Sequence, residues 1–122
     1  MSTPPARILV VDDNEALREN LQEALELEGY EVAVAADGVA ALARLREDSR
    51  FAAVLLDLMM PGMDGRELLA QIRGDGRLAG LPVVMTTGQT GSRARAGVPA
   101  NAFLTKPFGV RELLAALHQV GA

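Results

Sequence analysis

The chain has 122 residues, 49% apolar and 23% charged, with twelve basic against sixteen acidic side chains and a net charge of −4. That is the size and composition of one soluble globular domain, and its mild acidity argues against nucleic acid as a direct partner. There is no cysteine, which excludes disulfides, thiolate zinc sites and cysteine nucleophiles.

The start, Met1-Ser2-Thr3-Pro4-Pro5, lacks the apolar core of a signal peptide. We read residues 1–6 as a disordered leader to a single domain filling 1–122. A reducing cytoplasm fits this composition. The first apolar run, Ile8 to Val11, ends on Asp12 and Asp13. Leu17, Leu21, Ala24 and Leu25 then recur at helix spacing, with Gly29 as the stop. Tyr30 precedes a second β-branched run, Val32 to Ala35, and is assigned a structural role. Val39, Leu42 and Leu45 mark a helix after Asp37. Phe51 to Leu56 is a third strand and the longest unbroken apolar run, far too short for membrane insertion. It ends on Asp57. Asp64 and Glu67 resemble a capping box ahead of Leu68, Leu69 and Ile72. Val83 to Met85 is a fourth strand, closed by Thr86 and Thr87. Ala102-Phe103-Leu104 is a weaker fifth, with Lys106 just past it, and Val110, Leu113, Leu114 and Leu117 form the last helix.

Strands that are apolar on both faces, alternating with helices, imply a parallel sheet covered on both sides. One stretch resists that pattern. Gly88 to Ala100 carries three glycines, a proline and no apolar stripe, so Ser92 to Ala96 offers at best about one and a half turns of helix.

The polar residues fall at strand ends, where open parallel sheets place their ligand crevice. Asp12, Asp13, Asp57, Thr86 and Lys106 thus converge on one edge. Each alone has a bland explanation: acids favour a helix N-terminus, threonines end strands and lysines are solvated. Together they are harder to dismiss. Three clustered carboxylates repel, and one lysine cannot neutralise them. Lys106 is also the only lysine beside eleven arginines. Oxygen ligands without His or Cys point to a hard cation, with Mg²⁺ leading, and so to phosphoryl transfer. One carboxylate could itself be the nucleophile.

The residues Ile8-Leu9-Val10-Val11-Asp12-Asp13-Asn14, Leu55 to Gly65, Thr86, and Phe103-Leu104-Thr105-Lys106-Pro107-Phe108 together resemble a receiver domain of the bacterial response-regulator family. The resemblance runs from Ile8 to the last helix. It implies a flavodoxin-like doubly wound sheet of order 2-1-3-4-5. It implies that Asp57 is the phosphoacceptor, taking its phosphoryl group from a histidine kinase or phosphotransfer protein. Asp12, Asp13, Asp57 and the Met59 carbonyl would hold Mg²⁺. Lys106 and Thr86 would meet the phosphoryl oxygens, with Thr86 and Phe103 as the switch pair. The Lys106–Pro107 peptide is expected cis. A downstream protein would read the face between Gly88 and Val120.

Two features depart from the family pattern. Thr87 stands where a small residue is usual and could narrow access to the site. The Gly88–Ala100 segment is short, so the family's fourth helix is expected to be truncated or irregular and its partner face reshaped. An aspartate-nucleophile phosphohydrolase would need a second Asp where Met59 stands. A flavin module would place its phosphate loop after the first strand, where Asp12 and Asp13 would repel phosphate. A phosphorylation-independent adaptor and a receiver excised from a hybrid kinase or longer regulator remain as alternatives. Met1 and the short leader favour a complete stand-alone protein.

Overall fold

The computed structural model describes residues 5–48, 50–60, 62, 64–88 and 98–122. Strands β1 (Arg7–Val11), β2 (Glu31–Ala35), β3 (Ala53–Asp57), β4 (Val83–Thr87) and β5 (Ala102–Thr105) form one parallel sheet of order β2-β1-β3-β4-β5. Helices α1 (Glu15–Leu27), α2 (Gly38–Glu47), α3 (Gly65–Gly74) and α4 (Val110–Gln119) cover it.

The central strands lack polar alternation because both of their faces are buried. Leu9, Val11, Val54, Leu56, Val83 and Met85 pack with Leu42, Leu45, Leu68 and Ile72 of α2 and α3. Ile8, Val10, Leu55, Val84 and Leu104 pack with Leu21, Leu25, Leu113 and Leu117 of α1 and α4. Each such fully buried aliphatic side chain stabilises the fold by roughly 1.5–3 kcal/mol relative to exposure.

Three helices start on side-chain caps. Asn14 accepts from Leu17 N at 3.0 Å, Asp37 from Ala40 N at 2.7 Å and Asp64 from Glu67 N at 3.0 Å. Gly29 ends α1 with φ +93°, a left-handed conformation that disfavours other residues. Tyr30 has the structural role expected of it, its hydroxyl donating to Ala122 O at 3.2 Å.

The third strand begins two residues later than its apolar run suggests. Phe51 is buried, but ahead of the strand and in the core on the α2–α3 side, with the Arg7 guanidinium 4.7 Å from its ring centre. Arg7 also pairs with Asp48. The strand instead runs on to include Asp57. Of the leader, residues 1–4 lie outside the described residues, and Ala6 O already accepts from Glu31 N at 2.9 Å. The short helix expected over Ser92–Ala96 also lies outside the described residues. Where the chain resumes, Val98 and Ala100 pack on the α2–α3 side together with Phe103. No helix of the described residues is long and apolar enough to cross a membrane.

Candidate functional site

The strand order reverses between β1 and β3, so the loops leaving them diverge and open a crevice at their carboxyl ends. Asp12 follows β1 and is 2% exposed; Asp57 closes β3 and is 5% exposed; Asp13 is exposed. Carboxylate oxygens of all three lie within 4.8 Å of one another. Lys106 reaches in from beyond β5, its Nζ 3.1 Å from Asp12 Oδ2 and 3.4 Å from Asp57 Oδ2. Thr86 is in register with Asp57 and buried.

Main-chain groups hold these side chains in place. Asp12 Oδ1 accepts from Asn14 N at 2.9 Å, and Asp57 Oδ1 from Met59 N at 3.2 Å. Lys106 N donates to Thr87 O at 2.7 Å, tying the end of β5 to that of β4. The Lys106–Pro107 peptide is cis.

Without an added ion, one lysine leaves the three carboxylates with excess negative charge. At an effective dielectric of about 20, two unit charges within 4.8 Å of one another repel by about 3.5 kcal/mol or more, so three carboxylates carry on the order of 10 kcal/mol before solvent screens the exposed Asp13. Lys106, at 3.1 and 3.4 Å from two of them, returns a similar amount, about 10 kcal/mol. Nothing is left over to offset the desolvation of two buried acids. Asp57 registers that shortfall. Burial pushes its carboxyl above the usual range; the Lys106 ammonium pulls it back, and the neighbouring Asp12 carboxylate pushes it up again. Such a cluster of hard oxygen donors with excess negative charge fits a divalent cation.

Asp12, Asp13, Asp57, Lys106 and Thr86 therefore come together. Met59 is exposed, and its amide rather than its side chain serves the pocket. Phe103 is half-buried, in register with Met85, and Thr86 with Leu104. Thr87 is fully buried beside Thr105, so it is not an exposed rim group. Sequence reasoning missed Arg18, whose Nη1 donates to Asp12 O at 2.8 Å. Nothing in an arginine on the first turns of a helix signals that contact. Gly65 ends the Leu55–Gly65 stretch that carries the resemblance, which gives it no role; its own signal is a poor helix former directly after a cap.

Comparison with known proteins decides what this pocket belongs to. The family profile described as the response regulator receiver domain matches residues 8–118. The chain belongs to that family. The receiver is 46% identical over 117 residues to the response regulator MprA of Mycobacterium sp. (strain KMS), covering 93% of this chain and 50% of that protein. It thus spans about half the length of the curated relatives it matches. In structure the receiver is similar to the chemotaxis protein CheY4 of Vibrio cholerae. The TM-score is 0.88 at 34% identity, over 95% of this chain and 98% of that one. It is also similar to the signal receiver domain of a signal transduction histidine kinase from Syntrophus aciditrophicus. There the TM-score is 0.87 at 28% identity, over 94% and 89% of the two chains. The receiver is a module of two-component signalling, a phosphoacceptor type rather than a conventional enzyme.

Proposed function

We propose that this receiver is a phosphorylation-dependent switch in which Asp57 accepts a phosphoryl group from the phosphohistidine of a histidine kinase or phosphotransfer protein. The carrying observation is the set of three carboxylates within 4.8 Å served by one lysine, with Asp57 buried at its centre. An Asp57 oxygen attacks phosphorus, the P–N bond to imidazole breaks as the P–O bond forms, and the departing ring nitrogen takes up a proton. Asp12, Asp13, Asp57 and the Met59 carbonyl would hold Mg²⁺, which when bound neutralises the pocket and favours approach of an anionic donor. Lys106 is poised to pair with a phosphoryl oxygen, because its ammonium already contacts the nucleophile.

The acyl phosphate then offers new acceptors to the Thr86 hydroxyl and the Lys106 ammonium. Lys106 N is bonded to Thr87 O, so movement at the end of β4 is felt at the end of β5. Phe103 packs against the same core as Val98 and Ala100, and through it the face from Gly88 to Val120 would change for a downstream protein. Slow self-dephosphorylation and a cytoplasmic setting belong to the same reading.

Phosphotransfer tests it. A histidine kinase labelled on its histidine with radioactive phosphate should lose label to the wild-type chain in Mg²⁺ within minutes, and not to Asp57→Asn. Label that moves equally to both proteins would reject Asp57 as the acceptor. A chain that takes none from any donor would favour the adaptor reading.

A further inference from the structure

The backbone around Asp57 meets the start of α3 closely at Gly65. Gly65, the first residue of α3, is not among the glycines with positive φ, so its conformation is open to any residue. Space is what excludes a side chain. A Cβ on Gly65 would stand 2.5 Å from the carbonyl oxygen of Asp57 and 2.7 Å from the Cα of Leu58. Both are main-chain atoms, which cannot swing aside as a side-chain tip can. Gly74, at the other end of the same helix, would meet nothing within 4 Å.

This contact is part of a pinned unit. Gly65 N donates to Leu58 O at 3.0 Å, and Leu58 N donates to Thr86 O at 2.9 Å. Leu58 is therefore held on one side by α3 and on the other by β4, with its side chain 1% exposed. The next residue, Met59, supplies the N–H that fixes Asp57 Oδ1. The carboxylate is thus oriented by a loop whose position depends on α3 being seated against it.

We infer that Gly65 is a positioning residue for Asp57: its missing side chain lets the start of α3 rest on the Asp57–Leu58 backbone and so sets where the carboxylate stands. The inference rests on Asp57 being the phosphoacceptor. A methyl group at 65 must open a 2.5 Å approach to an ordinary 3.4 Å or more, a shift near 1 Å. Either α3 lifts and the Gly65–Leu58 bond breaks, or the loop moves and carries the Met59 amide off Asp57. A misplacement of about 1 Å can slow a reaction on the order of 100-fold even when the reacting groups are intact.

The test compares the full chain with Gly65→Ala and Gly74→Ala. Urea unfolding first establishes the folded fraction of each, and phosphorylation by acetyl phosphate in saturating Mg²⁺ is then followed by intact mass. Gly65→Ala is expected to lower the maximal rate per folded molecule at least tenfold, with an unchanged half-saturating acetyl phosphate concentration. Gly74→Ala is expected to react as wild type. A Gly65→Ala chain that is less stable but reacts at the wild-type rate per folded molecule overturns the inference and leaves the phosphoacceptor reading standing. If Gly65→Ala does not fold, or wild type takes no phosphoryl group and that reading fails, amide NMR of wild type decides. On adding Mg²⁺ the Gly65 resonance should move with that of Met59 while Gly74 stays still. An unmoved Gly65 amide overturns the inference.

Discussion

Replacing Lys106 with methionine removes the only ammonium from the pocket and keeps a side chain of similar length. Its two contacts, 3.1 and 3.4 Å long, carry about 10 kcal/mol of gross attraction at an effective dielectric of about 20. The net loss is smaller, for two reasons. The lysine side chain is 27% exposed and partly screened. Asp57, already pushed up by burial, can also escape repulsion by taking a proton once Lys106 no longer pulls it down. Losing one partner of a buried pair costs roughly 3–5 kcal/mol, and with that relief we expect about 2–4 kcal/mol at pH 8 without divalent cations. The loss should shrink toward pH 5, because protonation removes the uncompensated charge. Urea unfolding followed by circular dichroism measures it. Adding Asp57→Asn to Lys106→Met should recover most of the stability, a coupling well above 1 kcal/mol between the two sites. Equal stability of wild type and Lys106→Met at pH 8, or a loss that Asp57→Asn does not relieve, would refute the charge balance.

Asp57→Asn alone should stabilise the metal-free domain at neutral pH. The folded-state carboxyl titrates above its unfolded value of about 3.9, so between the two values the folded chain binds more protons and stability falls as pH rises. The stability difference between variant and wild type, followed from pH 4 to 8, should grow with pH; a constant difference would contradict the shift. Mg²⁺ at about 100 times its dissociation constant should stabilise wild type by about 2.7 kcal/mol and Asp57→Asn by clearly less, read as urea midpoints. Leu55→Ala, which empties a site 2% exposed between β3 and the α1–α4 layer, should cost about 2–5 kcal/mol by the same assay, and a loss under 1 kcal/mol would argue against that packing.

The fold was legible because its strands are buried on both faces. Unbroken apolar runs such as Ile8–Val11 have few other uses in a domain this small, and the alternation with helices leaves a parallel sheet as the natural arrangement. The site was legible for a related reason: Asp12, Asp57 and Thr86 are polar residues at the ends of apolar runs, and the topology brings all those ends to one edge. Phe51 misled because apolarity reports burial and not hydrogen-bonding geometry, so a core residue just ahead of the strand reads like strand. Arg18 was illegible because its contact is with a main-chain carbonyl, which leaves no trace in residue type. Arg73 was missed likewise: its guanidinium donates to the carbonyls of Ala79, Leu81 and Pro99 and to Asn101 Oδ1. Gly65 could be seen as an unusual helix start, but the Asp57 backbone beside it belongs to tertiary structure.

The most direct test of the central claim is intact mass after incubation with acetyl phosphate, with and without Mg²⁺, on wild type and Asp57→Asn. One added phosphoryl group is expected on wild type, only in Mg²⁺, and none on Asp57→Asn. An adduct that persists in Asp57→Asn, or none on wild type when Mg²⁺ binding has been confirmed separately, would contradict the assignment of Asp57 as the phosphoacceptor.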